Sequence, residues 1–200
     1  MRIAGILGAL LLTTGSTWAE TVTSAYTELD TQEDCSVFAG AGEEPGDWSN
    51  LVCSGYKGYP VFIYYSDARE SLFYGFPPAG DLAPRWESFT AFNRAGTTVE
   101  WRIASDGVRE RPFATIHRWF VTGGPDMDEE IEVLVVEKVG QIAEWQGCAV
   151  GYVVASGNNG ANEAARRIAD EQARGFSCET DEPAVEEGSV PLPGLARPEQ

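Results

Sequence analysis

The feature that most constrains this chain is the pair Cys148 and Cys178 with what lies between them. Cys148 to Ala155 is a nearly unbroken apolar run. Asn158 or Asn159 then offers a helix cap, and Ala161, Ala164, Ala165, Ile168, Ala169, Ala173 and Phe176 recur on one helical face, with Gly175 as the stop. A strand of this length advances roughly 25 Å, and a helix of about 16 residues returns roughly 24 Å. Cys178 therefore comes back beside Cys148, which leaves Cys35 to pair with Cys53. No two cysteines are spaced as CxxC, which disfavours a zinc ribbon or a thioredoxin-type redox site.

Two disulfides imply an oxidising compartment, and the N-terminus agrees. Met1 and Arg2 precede a short apolar run, Ile3 to Leu12, and Thr17-Trp18-Ala19 supplies small residues for cleavage before Glu20. Residues 1–19 read as a signal peptide and the destination as the periplasm or the outside. No later segment is apolar enough to span a membrane, so stable membrane insertion is not expected. After cleavage 13 basic residues face 31 acidic ones, a net charge of −18. Such a surface opposes nucleic-acid binding and suits a cationic protein partner.

The rest of the chain reads as strands. Pro60 to Tyr65 and Ser71 to Phe76 flank a turn at residues 66–69, and 97–103 and 113–121 flank another near Gly107. Residues 131–139 and 148–155 read as interior strands. The expectation is an α+β fold: an antiparallel meander of about six strands with one C-terminal amphipathic helix packed on it. Residues 20–34 read as an extended lead-in and 35–53 as a disulfide-closed loop. Residues 20–178 form a single domain, and the acidic, Pro-rich stretch 179–200 reads as a disordered tail.

Chemistry is hard to find. There is no GxSxG, P-loop, GxGxxG after a strand, or HExxH. Asp126, Asp128, Glu129, Glu130, Glu132 and Glu137 place some oxygens at EF-hand spacing, but Ile131 sits where the turn needs Gly. No metal, cofactor or catalytic residue is expected. One segment is locally positive: Arg85, Arg94, Arg102, Arg109, Arg111 and Arg118 lie among only four acids. It also carries His117, the one histidine. Segregating polar from apolar residues on strands 97–103 and 113–121 favours a register in which paired numbers sum to 217, setting Glu100 across from His117. Glu100, Arg102 and His117 are then a candidate anion or sugar site, with Trp101 and Trp119 nearby.

The segments Phe92-Asn93, Thr98 to Arg102, Pro112 to Ile116, Asn162-Glu163, Ala165-Arg166, Ala169-Asp170 and Cys178 resemble a family of uncharacterised exported alphaproteobacterial proteins. The resemblance covers most of residues 35–178 and implies the compartment, but no activity. Three functions follow: a non-enzymatic binding or inhibitor-like module, an enzyme or binding site for an anionic or sugar ligand, and a structural envelope protein.

Overall fold

A computed structural model describes residues 20–42, 46–78, 85–123 and 129–197. The proposed signal peptide, Met1 to Ala19, lies outside the described residues. The fold is broadly α+β and mostly strand. Its strands, in chain order, are β1 (Thr21–Glu28), β2 (Cys35–Gly40), β3 (Trp48–Cys53), β4 (Val61–Ser66), β5 (Arg69–Tyr74), β6 (Ser88–Phe89), β7 (Asn93–Ser105), β8 (Glu110–Gly123), β9 (Glu129–Lys138), β10 (Ala149–Val154), β11 (Ala184–Glu186) and β12 (Leu195–Ala196). One helix, α1 (Ala161–Gln172), follows β10.

These strands do not form one meander. A six-stranded sheet runs β1-β7-β8-β9-β10-β11, a four-stranded sheet runs β2-β3-β4-β5, and β12 pairs with β6. The two larger sheets bury a shared core: Val61, Ile63, Leu72 and Tyr74 from one, and Val99, Trp101, Ile103, Trp119, Val121, Val133 and Val135 from the other. The opposite face of the six-stranded sheet receives α1, whose Ala164, Ala165, Ile168 and Ala169 meet Ala114, Ile116, Leu134, Val136, Val150 and Val153. The layers are therefore small sheet, large sheet and helix. Close approach of helix to sheet depends on Gly151, because a Cβ there would stand 2.8 Å from Ile168 Cγ2. The two sheets are also joined at a Gly75–Gly140 bridge, where Gly75 has φ of +92°.

Both disulfides have the expected pairing, Cys35–Cys53 and Cys148–Cys178. The second closes a strand-plus-helix loop with a sequence separation of 30. Loop-closure entropy at that length contributes about 3–4 kcal/mol.

Four further expectations are corrected. Residues 21–28 are not a lead-in but an edge strand paired with β7 over its full length. Their small and polar side chains hid it, because an edge strand needs backbone partners more than an apolar face. Cys35–Gly40 and Trp48–Cys53 are a two-stranded ladder across the disulfide rather than a loop. Within the described part of the C-terminal stretch, residues 179–197, strands stand where a disordered tail was expected. Ala184–Glu186 adds to β10 in parallel, and Leu195–Ala196 pairs with β6. It needs no core of its own, because Ala184, Leu192 and Leu195 pack on cores already built.

The fourth correction concerns the β7–β8 register. Paired numbers sum to 216: Val99 faces His117, Glu100 faces Ile116, and Arg102 faces Ala114. The ladder shifts between Ala95 and Val99 and again between Arg102 and Ile103. Segregation of polar from apolar residues failed as a guide because it presumes one solvent face. This sheet is covered on both, so polar side chains are admitted wherever a neighbouring layer supplies partners.

Candidate functional site

The register divides the three predicted site residues between two faces of one sheet. Glu100 and Arg102 point toward α1. Both are buried, at 8% and 7% exposure. Arg166 of α1 donates to Glu100 through Nε at 2.7 Å and Nη2 at 3.1 Å. Arg102 donates to Asp170, one helical turn on, at 2.8 and 2.6 Å. Ser24 of β1 completes the set: its hydroxyl donates to Glu100 at 2.5 Å and accepts from Arg102 Nη1. Tyr26 accepts from Arg166 at 3.3 Å. Two guanidinium groups and two carboxylates thus neutralise one another beneath the helix. The Glu100 carboxylate holds the Arg166 guanidinium still more firmly in its charged form. The network fixes the rotation of α1 on the sheet.

His117 faces the other way, into the core between the sheets, at 1% exposure. Its Nε2 lies 2.6 Å from the Gly96 carbonyl and its Nδ1 lies 2.6 Å from the Tyr74 hydroxyl. A carbonyl only accepts, so Nε2 carries the proton and Nδ1 accepts from Tyr74. Burial lowers the imidazole pKa to about 4, against the opposing pull of the Gly96 carbonyl. The ring is neutral, fixed in one tautomer and closed to solvent. Glu100, Arg102 and His117 are not a joint site.

The sequence reading missed a second buried polar group. Glu137 lies between Thr115 and Ala149 on neighbouring strands, 5% exposed. Burial, and then the Glu87 carboxylate, push its pKa well above the ordinary carboxyl value. Glu87 accepts from the Ala149 amide at 2.7 Å and from Arg197 at 3.1 Å. Thr115 Oγ1 and Trp119 Nε1 are buried without a hydrogen-bond partner among the described residues. The available signal was a carboxylate inside the apolar run 131–139.

The Arg-rich segment is largely consumed by internal pairs. Arg94 makes two bonds to Glu130, at 3.1 and 3.0 Å, and lies 4.0 Å above the Phe120 ring. Arg118 pairs with Glu132 at 2.5 Å. Arg109 faces Asp106 at the hairpin turn, and Arg85 donates to the Cys178 carbonyl. Arg94, Arg118, Glu100 and Tyr26 do share one open cleft of about 460 Å³ over Ile116 and Leu134, beside the start of α1. Its apolar floor and charged rim could take a small ligand, but its arginines already have carboxylate partners.

Of the acidic stretch with EF-hand spacing, Glu129–Lys138 is strand, while Asp126 and Asp128 lie outside the described residues. Among the described residues no three His, Cys, Asp or Glu side chains are grouped to hold a metal ion, and no helix is long and apolar enough to cross a membrane. Compared with known proteins, the chain matches no family model, no curated protein and no solved structure.

Proposed function

We propose that the chain is an exported, non-enzymatic binding or inhibitor-like module for a cationic protein partner. One observation carries the reading. Of the 13 basic residues beyond the proposed cleavage site, 11 make ion pairs among the described residues: Lys57, Arg69, Arg94, Arg102, Arg109, Arg118, Lys138, Arg166, Arg167, Arg174 and Arg197. The surplus of acid is left at the surface. Glu28, Asp30, Glu33, Asp34, Glu179, Asp181, Glu182 and Glu187 are exposed. A field of one sign accelerates encounter with an oppositely charged partner and weakens with salt. The burial of His117 adds support, since the histidine is withheld from acid–base chemistry at the surface. Export rests on the two disulfides and the N-terminal signal pattern.

The test is binding of the purified protein to matched sets of basic and acidic proteins at low and high salt. Saturable, salt-sensitive, 1:1 binding to a basic protein is the expected outcome, unchanged by His117→Phe. Equal response to acidic proteins would overturn the reading.

A further inference from the structure

The four-stranded sheet has an open edge at β2. Among the described residues only β3 pairs with this strand. Cys35 and Cys53 are opposite one another with Cα atoms 4.0 Å apart. That is the close spacing of a non-hydrogen-bonded antiparallel pair. The backbone N–H and C=O of Cys35 therefore point away from β3, and so do those of Val37, two residues along.

Open edges are ordinarily blunted by charge or by proline. This one, CSVFAG, has neither, although its ladder with β3 shifts register between Val37 and Ala39. Val37 is 65% exposed, Phe38 37%, and Trp48 at the end of β3 41%. Phe38 stands edge-on to Phe62, 6.1 Å between centroids, so the edge continues into the sheet's aromatic outer face. The other long edge, β1, is polar and carries its charge on the strand. Acids bracket β2 rather than occupy it. Asp30, Glu33 and Asp34 are exposed just before it. Asp47 is exposed at its far end, where the Ala41 amide bonds the Trp48 carbonyl.

We infer that β2 is a strand-addition site, and that its occupant is an extended segment of a cationic protein in which apolar residues alternate with Lys or Arg. The backbone would pair with the open side at Cys35 and Val37, the apolar side chains on one face of the added strand would extend the outer face at Phe38, and the basic ones would meet the acids at either end. A second copy of this chain fits poorly, because two β2 edges in antiparallel pairing bring acid against acid at both ends. The inference rests on the cationic-partner reading and names the surface that serves it.

The experiment uses a capped decapeptide of alternating Lys and Val, with a Glu and Val peptide as control, and reads amide hydrogen exchange together with affinity. The expected result is slowed exchange at the Val37 amide, with affinity falling about tenfold between low and moderate salt. Val37→Pro removes the outward N–H, which takes no part in the β2–β3 ladder, and should weaken binding at least about tenfold. Glu33→Lys should weaken it further. Should Val37→Pro fail to fold, Phe38→Asp and the exchange of the parent protein decide the matter. Binding with protection elsewhere, unaffected by these variants, would overturn the β2 assignment and leave the cationic-partner reading standing. No binding at all would overturn both. A dimer formed without peptide and dissociated by Val37→Pro would overturn the choice of occupant.

Discussion

Acidifying the protein should destabilise it through His117, by an amount the structure defines. The imidazole has a pKa of about 4 in the folded state and an ordinary value of 6.5 when exposed. A histidine with a lowered folded pKa contributes stability that is complete above 6.5 and is lost as pH falls toward 4. At pH 4.5 the unfolded chain holds the proton almost fully and the folded chain holds it about a quarter of the time, so linkage removes about 2.5 kcal/mol relative to pH 7.5. The ceiling, reached well below pH 4, is about 3 kcal/mol. Proton uptake at Nδ1 would also take away the acceptor of the Tyr74 hydroxyl at 2.6 Å.

His117→Phe isolates the effect. It keeps a ring in the core but leaves the buried Tyr74 hydroxyl and the half-buried Gly96 carbonyl without their partner, at a cost of about 2–4 kcal/mol near neutrality. Because phenylalanine does not titrate, the stability gap between the two proteins should shrink by about 2.5 kcal/mol from pH 7.5 to 4.5. The carboxyls of Glu70 and Glu137, whose pKa values are raised, act in the opposite direction but are present in both proteins and cancel in the gap. Urea unfolding followed by tryptophan fluorescence, with disulfides intact, measures it. A gap constant over this range would mean that His117 ionises in the folded state, and the closed, single-tautomer description would be wrong.

Glu100→Gln should cost about 2–3 kcal/mol, and a double-mutant cycle with Arg166→Gln should show coupling, because each change strands a charge beneath α1. Ala68→Gly should stabilise by up to about 1 kcal/mol in the same assay, since Asp67 and Ala68, at φ of +52° and +57°, form a left-handed turn between β4 and β5 that glycine adopts without strain. Glu137→Gln should gain stability relative to the parent as pH rises from 5 to 8. A carboxyl held protonated in the fold but ionised when unfolded opposes folding above its ordinary value, and parallel curves would contradict that burial. Intact mass of the exported protein should begin at Glu20, and retention of residues 1–19 would remove the argument for export.

What the sequence determined by itself is what local chemistry fixes. The alanine period and the apolar run between Cys148 and Cys178 determined a strand, a returning helix and thereby both disulfides, because rise per residue and side-chain period need no knowledge of distant parts. The β4–β5 turn and the 106–109 hairpin were legible for the same reason. Only tertiary structure decided which side chains meet. Ser24 and Asp170 reach Glu100 and Arg102 across separations of 76 and 68 residues, and no local pattern encodes those encounters. A strand's period of two says which residues share a face but not which layer covers it. With a sheet on one side and a helix on the other, His117 could be polar and buried, Glu100 could lie opposite Ile116, and the polar segment 21–28 and parts of the acidic stretch 184–196 could become strands, because backbone pairing to an existing sheet asks little of their side chains.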